Sequence, residues 1–244
     1  MFVIDVKNLT KQYGKKDSVF TALDDVSFSI PNSSRVAIIG KSGSGKSTLM
    51  HIMSGLDHPT SGTVKIDGKE LSKMKSKAID SFRARQMSFI FQAFFVEGNQ
   101  TSYQNVMLPL EIAKVGRRRR KAMVLEALEA VELSDKTNSR ANDLSGGQKQ
   151  RLAMARAIVN KPKLIFADEP TGNLDSNTGE KIIDLLFELN KTMGCTLIIV
   201  THDHELAAKC QIQIQLKDGK ILDIKKSATN STKPAKAKLR KKII

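Results

Sequence analysis

Four apolar residues, Val36-Ala37-Ile38-Ile39, run straight into Gly40-Lys41-Ser42-Gly43-Ser44-Gly45-Lys46-Ser47-Thr48, and a helical pattern starts before that loop has ended. No other stretch of the chain restricts the fold so tightly. A short apolar run bounded by glycine suits a strand buried on both faces of a parallel sheet. Leu49, Ile52 and Met53 then recur at helical spacing, and Gly55 is placed to end the helix. The loop matches GxxxxGK[ST]. Its glycines let backbone N–H groups wrap phosphates, Lys46 would reach the β- and γ-phosphates, and the Ser47 hydroxyl is a candidate Mg²⁺ ligand. A Gly/Ser-rich surface loop would explain the composition, but not its seat between strand and helix.

The rest of the chain extends this unit. Residues 3–9 and 26–30 read as strands, 63–66 as a strand before the Asp67-Gly68 turn, and 87–91 as another strand. From about 92 to 161 the texture is helical, most clearly at 107–113, 121–131 and 148–158. Residues 164–167 and 196–200 return as buried apolar strands, separated by a helix over 177–192 with Ile182, Ile183, Leu186 and Leu189 on one face. Ile212, Ile214 and Leu216 alternate with glutamines, and Asp218-Gly219 leads into 221–224, a closing hairpin. The expected fold is α/β: a mostly parallel core sheet covered on both faces, an N-terminal antiparallel part and a helical lobe inserted at about 93–161. Residues 1–224 would form one domain.

The chain's 244 residues suffice for one sizeable core. No apolar run approaches a membrane span, and the N-terminus lacks the pattern of a signal peptide. Cys195 and Cys210 have neither metal nor redox spacing, so free thiols in a reducing cytoplasm are expected. The net charge of +15 is uneven: residues 225–244 hold eight Lys/Arg and no acid, which leaves +7 on the rest. That segment is expected to be a disordered basic tail. Ala235, Leu239 and Ile243 are spaced by four within it, so a short amphipathic helix on an anionic membrane surface is an alternative, and RNA contact a third. Arg117-Arg118-Arg119-Arg120-Lys121 opens a helix and is read as a solvated end, with anionic lipid or an acidic partner loop as the alternative.

Five further features carry chemistry. Leu144-Ser145-Gly146-Gly147-Gln148 places two glycines at a helix start, where backbone N–H groups bind anions. The chain already cradles its own nucleotide through residues 40–48, so this spare helix end would serve the nucleotide of a second subunit. Asp168-Glu169 follows the strand 164–167, where ligands bind in open α/β sheets; Asp168 suits a Mg²⁺ shell and Glu169 can polarise a water against a γ-phosphate. His202 follows strand 196–201, and a neighbouring parallel strand would present it beside Glu169. Gln92 ends strand 87–91, where a neutral amide can touch Mg²⁺ or the attacking water. Tyr13, on a polar loop before Gly14, is either a turn residue packed on the sheet or a platform for adenine.

Taken in order (Tyr13, the phosphate loop, Gln92, LSGGQ, Leu164-Ile165-Phe166-Ala167-Asp168-Glu169-Pro170, Asn173-Leu174-Asp175, His202), these motifs resemble the nucleotide-binding subunits of ABC transporters over residues 1–224. The resemblance implies an ATPase that dimerises head to tail, as a homo- or heterodimer, around two ATP with Mg²⁺. Ser145, Gly146, Gly147 and Gln148 would contact the partner's γ-phosphate, and Asp175 would lie in the loop that crosses to the partner's site. Glu169 would be the general base, His202 would hold the γ-phosphate and Gln92 would sense it. Gly55-Leu56-Asp57-His58-Pro59-Thr60-Ser61-Gly62, Gln104-Asn105-Val106-Met107-Leu108-Pro109-Leu110 and Asp168-Glu169-Pro170-Thr171-Gly172-Asn173-Leu174-Asp175 look like one group within that family. It contains the lipoprotein-releasing, macrolide- or peptide-exporting and cell-division ATPases. The group implies an integral membrane permease as partner, a peripheral position on the cytoplasmic face of the membrane, and work by transmitting motion. A regulatory ATPase acting on a cell-wall hydrolase through a membrane subunit is the alternative. A soluble nucleic-acid-associated ATPase ranks below both, and nucleic acid is not expected as a partner.

The chain departs from the group's pattern in three places. Ser33-Ser34 stands where a Gly-acid pair is usual and is expected to be tolerated. Ala93-Phe94-Phe95-Val96-Glu97-Gly98-Asn99-Gln100-Thr101 replaces the usual segment that shapes the groove for the membrane partner. Cys210-Gln211-Ile212 removes an expected ion pair but no catalytic group.

Overall fold

The computed structural model describes residues 2–15 and 18–227. In chain order the elements are β1 (Phe2–Tyr13), β2 (Phe20–Pro31), β3 (Arg35–Ile39), α1 (Lys46–Met53), β4 (Ser61–Ile66), β5 (Lys69–Glu70), α2 (Ser76–Gln86) and β6 (Met87–Phe91). There follow α3 (Ser102–Ile112), α4 (Arg117–Ala130), α5 (Gly146–Ile158), β7 (Leu164–Asp168), α6 (Ser176–Met193), β8 (Thr196–Thr201), α7 (His204–Ala208), β9 (Ile212–Lys217) and β10 (Lys220–Lys226).

Two sheets carry the fold. A four-stranded antiparallel sheet runs β2-β1-β4-β5, and a six-stranded sheet runs β10-β9-β3-β8-β7-β6. In the larger sheet β9, β3, β8, β7 and β6 are parallel neighbours, and β10 closes it as the antiparallel arm of a hairpin. This is the mostly parallel α/β sheet with an N-terminal antiparallel part that the sequence leads one to expect.

The apolar runs are continuous because both faces of the large sheet are buried. Val36, Ile38, Leu164, Phe166, Ile198 and Val200 point into a core shared with α1 and the antiparallel sheet. Ala37, Ile39, Ile165, Ala167, Leu197 and Ile199, their neighbours in sequence, point into a second core shared with α3–α6. Period-two alternation thus divides one sheet between two cores. Both cysteines are free and buried, and burial pushes their thiols up, Cys195 to about 11 and Cys210 to about 12, so neither offers a reactive thiolate.

Four local readings need correction. Strands β1 and β2 extend beyond 3–9 and 26–30, and Tyr13 pairs with Phe20 at the end of β1 rather than lying in a loop. Polar residues such as Lys11 and Gln12 mask the strand there, because its outer end is half exposed. Helix α2 was not anticipated: only Ile79 and Phe82 are buried on it, too few to mark a period. The run Arg117–Lys121 does open α4, but Arg120 is not a solvated end. Its Nε donates to Val115 O at 2.8 Å and its guanidinium pairs with Glu111 at 2.7 Å. Lys225 and Lys226, the first two residues read as tail, lie in β10, and the remainder of that segment, from residue 228, is outside the described residues.

Candidate nucleotide site

Strand β3 delivers the phosphate loop to the C-terminal end of the sheet's parallel strands, and α1 leaves it at Lys46. Gly45 has φ +97, and a Cβ there would meet Ala22 O at 2.5 Å, so only glycine fits. Lys46 Nζ donates to Gly40 O at 2.8 Å and Lys41 O at 2.9 Å, which holds the ammonium over its own loop. Lys41, Ser42, Gly43 and Ser47 are exposed along the rim, with Gly40 and Thr48 half-buried behind them, while Ser44 is buried and its hydroxyl lacks a hydrogen-bond partner among the described residues. Helix α1 has no side-chain cap, so its first N–H groups are available to an anion at the positive end of the helix. A charged amine, hydroxyls and uncapped N–H groups around one loop fit a polyphosphate.

At the C-terminal ends of β7 and β8 the two acids and the histidine meet. Asp168, the last residue of β7, is paired in register with Phe91 on β6 and Val200 on β8. Burial raises its pKa, with the neighbouring Glu169 adding to this, while His51 and Lys46 pull it back. Glu169 turns left-handed at φ +44, with its N–H fixed to Val200 O at 2.9 Å. Its Oε1 accepts from His202 N at 3.0 Å and lies 2.7 Å from His202 Nδ1, and Oε2 accepts from Thr201 Oγ1 at 3.3 Å. A non-glycine residue in that region is strained, and such strain collects at functional sites.

Gln92 follows β6 and lines one open cleft with Asp168, His51, Phe91, Ala93 and Phe95. Its amide donates to Asn173 Oδ1 at 3.1 Å, and Asn173 Nδ2 returns a bond to Gln92 O at 2.9 Å. Among the described residues no group of three or more His, Cys, Asp or Glu is placed to hold a metal. Ser47, Asp168 and Gln92 instead offer one hydroxyl, one carboxylate and one amide. That sparse set of hard oxygens fits Mg²⁺, which keeps several waters and takes phosphate oxygens as ligands.

The LSGGQ segment opens α5 through a capping box. Ser145 Oγ accepts from Gln148 N at 3.3 Å, and Gln148 Oε1 accepts from Ser145 N at 2.9 Å. Outside the helix itself, the atoms nearest its glycines are side-chain atoms: Leu174 and Phe94 near Gly146, and Thr178 near Gly147. Asp175 caps α6 by accepting from Thr178 N at 3.0 Å, and bonds at that cap hold its carboxyl below the usual range. The structure thus sets the signature turn against the loop before α6, whereas Lys46, Asp168, Glu169, His202 and Gln92 gather at the sheet's C-terminal end.

Tyr13 is 41% exposed, and its hydroxyl donates to Asp57 Oδ2 at 2.8 Å. Lys11 Nζ lies 4.7 Å from the ring centroid and pairs with Asp57 Oδ1 at 2.8 Å. Burial and the Asp57 hydrogen bond raise the tyrosine pKa, while Thr48 of the phosphate loop and Lys11 pull it down. The ring is held at its edge and on one face, beside the phosphate loop.

Sequence reasoning missed Lys11, Asp57, Thr201 and Gln150 as parts of this arrangement. Three of them act across long sequence separations and carry no local signal. Gln150 had one: it sits among Ala153, Met154 and Ala157 on the apolar face of α5, where a buried amide needs a reason.

Comparison with known proteins agrees with this geometry. The ABC transporter family model matches residues 23–172. The chain is 44% identical over 219 residues to the lipoprotein-releasing system ATP-binding protein LolD of Syntrophotalea carbinolica, covering 90% of this chain and 96% of that protein. Among solved structures it resembles the ATP-binding cassette MJ0796, in a dimeric post-hydrolysis state bound to ADP and Pi, with TM-score 0.82 and 40% identity over 91% of this chain and 98% of that one. It also resembles cbiO1 of Clostridium perfringens, part of the transporter complex cbiONQ, with TM-score 0.83 and 29% identity over 91% and 88% of the chains. The chain belongs to the ABC transporter family: it is an ATP-binding cassette subunit that binds and hydrolyses ATP, closely related to the lipoprotein-releasing ATPases.

Proposed function

We propose that residues 1–224 form one ATPase unit, with its helical lobe at about 93–161, that dimerises head to tail around two ATP and drives an integral membrane permease of the lipoprotein-releasing type. It would work peripherally on the cytoplasmic face. Gly40, Lys41, Ser42, Gly43, Ser44, Gly45, Lys46, Ser47 and Thr48 take the phosphates, and Tyr13 offers its open face to adenine. Ser47, Asp168 and Gln92 would hold Mg²⁺, which when bound neutralises phosphate charge. Ser145, Gly146, Gly147 and Gln148, with Asp175 nearby, complete the site of the second subunit. The dimer in the MJ0796 structures and the name of the Syntrophotalea relative support this reading.

The observation that carries the chemistry is the Glu169–His202 pair. Oε1 of Glu169 already accepts from His202 N and faces Nδ1 at 2.7 Å, while among the described residues Oε2 has only the longer bond from Thr201. Oε2 is therefore the oxygen left to take a proton from an attacking water. With Nδ1 turned to the carboxylate, the other imidazole nitrogen is left to meet the γ-phosphate. Glu169→Gln keeps the shape and removes the base. The variant should bind ATP and accumulate as a dimer on sizing, with hydrolysis reduced by about 100-fold or more. A variant that stays monomeric with ATP would overturn the sandwich mechanism.

A further inference from the structure

Gln150 is fully buried on α5, two residues past the signature glutamine, and its amide spans the route between two catalytic strands. Its Nε2 donates to Pro170 O, a short hydrogen bond, and reaches Phe91 O at 3.5 Å. Pro170 is the residue after Glu169, and Phe91 is the residue before Gln92. The cost of the arrangement is visible: Gln150 Oε1 is buried without a hydrogen-bond partner among the described residues. An amide kept only for packing could be a leucine or methionine at lower cost. The same helix also holds the far side of Gln92, because Arg156 donates to the carbonyls of Phe94 and Phe95.

We infer that Gln150 is a positioning residue that ties the signature helix to both Glu169 and Gln92, so that movement of the helical lobe sets the geometry of hydrolysis. The inference rests on the roles proposed above for those two residues. One N–H is committed to Pro170 O, and the second reaches a carbonyl at the outer limit of hydrogen bonding. A small shift of α5 toward β6 shortens the second bond and draws the Gln92 strand end with it. A shift the other way leaves Glu169 tied and Gln92 released. The signature helix therefore reads its own subunit's catalytic strands through a single amide.

The test is steady-state ATP hydrolysis by the full chain carrying Gln150→Met, which keeps the side chain's length and removes both donors. The expected result is a kcat at least tenfold lower, with KM for ATP within twofold and a melting temperature close to that of the unmodified protein. Gln150→Glu provides a second reading. Its carboxyl can donate only when protonated, and burial facing two carbonyl oxygens favours the protonated form. Its kcat relative to the unmodified protein should therefore rise as pH falls, an acid rescue that a purely structural role does not produce. Unchanged kcat in Gln150→Met, or a pH-independent ratio in Gln150→Glu, overturns the inference. Glu169→Gln is measured alongside. If it still hydrolyses ATP normally, the proposed catalytic roles have failed; if it is inactive while Gln150→Met is normal, only the role of Gln150 has failed.

Discussion

The phosphate loop and the signature turn are both glycine-rich and both open a helix, yet they are built in opposite ways. Backbone closes on the phosphate loop at two of its glycines: Cβ atoms at Gly40 and Gly45 would meet Leu216 O at 2.4 Å and Ala22 O at 2.5 Å, while Gly43 faces open space. At the signature turn the nearest atoms outside the helix itself belong to side chains. Helix α1 begins without a side-chain cap, whereas α5 begins with a complete capping box. One helix end thus keeps its first N–H groups for a ligand in a seat that cannot shift, and the other satisfies part of its own turn in a seat that can. The proposed dimer, which assembles and releases, would use both kinds of end.

The largest expected effect follows from the rigid seat. Gly45→Ala places a side chain at φ +97 against a backbone oxygen. The left-handed conformation costs about 1–2 kcal/mol, and relieving the clash must move β2 or α1, so a total of about 3 kcal/mol or more is expected. Chemical denaturation should show this loss together with loss of ATP binding. A variant of unchanged stability would mean that the phosphate loop is as adaptable as the signature turn.

Gly147→Ala probes the other side. Its Cβ would lie 2.7 Å from Thr178 Cγ2, a side-chain atom that can give way, and alanine at a helical position recovers up to about 1 kcal/mol of propensity. Stability should therefore change by no more than about 1 kcal/mol. ATP-driven dimerisation, measured in the Glu169→Gln background, should nonetheless be lost, because in the proposed dimer the turn meets the second subunit's nucleotide. If Gly147→Ala costs as much stability as Gly45→Ala, the contrast between the two seats collapses.

The elements around these two seats were not equally legible. The strands of the large sheet could be read because both faces are buried, which leaves uninterrupted apolar runs such as Leu164-Ile165-Phe166-Ala167. The carboxylates and His202 could be read because each sits where such a run ends. The outer end of β1 and helix α2 could not, since one apolar face there is short or half exposed. Neither could the Asn173 partner of Gln92, the Lys11–Asp57 clamp on Tyr13 or the reach of Gln150 to Pro170, which depend on tertiary contacts with no periodic trace. Local pattern located the candidate groups, and packing alone revealed what holds them.

A smaller effect is expected from Asp168→Asn. Burial raises the Asp168 pKa in the folded protein, so the folded state holds the proton more tightly than the unfolded chain. That stabilisation is complete below the ordinary aspartate range near pH 4 and is lost as pH rises through the folded pKa. At neutral pH the ionised carboxylate therefore destabilises the ligand-free protein. Asparagine should raise the melting temperature at pH 7, by no more than about 1 kcal/mol in stability, and bring no gain at pH 3. Mg²⁺-dependent ATP hydrolysis should fall in the same variant. A gain that persists at low pH would show that the carboxylate charge is not its source.

The smallest effect, that of Ser33→Gly, concerns the turn that leads into β3 and so carries the phosphate loop. Ser33 occupies φ +58, a conformation that favours glycine. Its Oγ donates to Gly194 O at 2.6 Å, and its N–H donates to Thr196 Oγ1 at 2.9 Å. The left-handed strain costs about 1 kcal/mol and the side-chain hydrogen bond returns about 1 kcal/mol, so serine stands in for glycine at little net cost. Ser33→Ala loses the bond and keeps the strain, and should be destabilised by about 1 kcal/mol. Ser33→Gly loses the bond and the strain together and gains unfolded-state entropy, so its stability should differ from the parent's by about 0.5 kcal/mol or less. Thermal unfolding of the pair separates the two contributions. An alanine variant as stable as the parent would show that the hydrogen bond to Gly194 contributes nothing, and that the rigidity of the phosphate loop's seat begins only at β3.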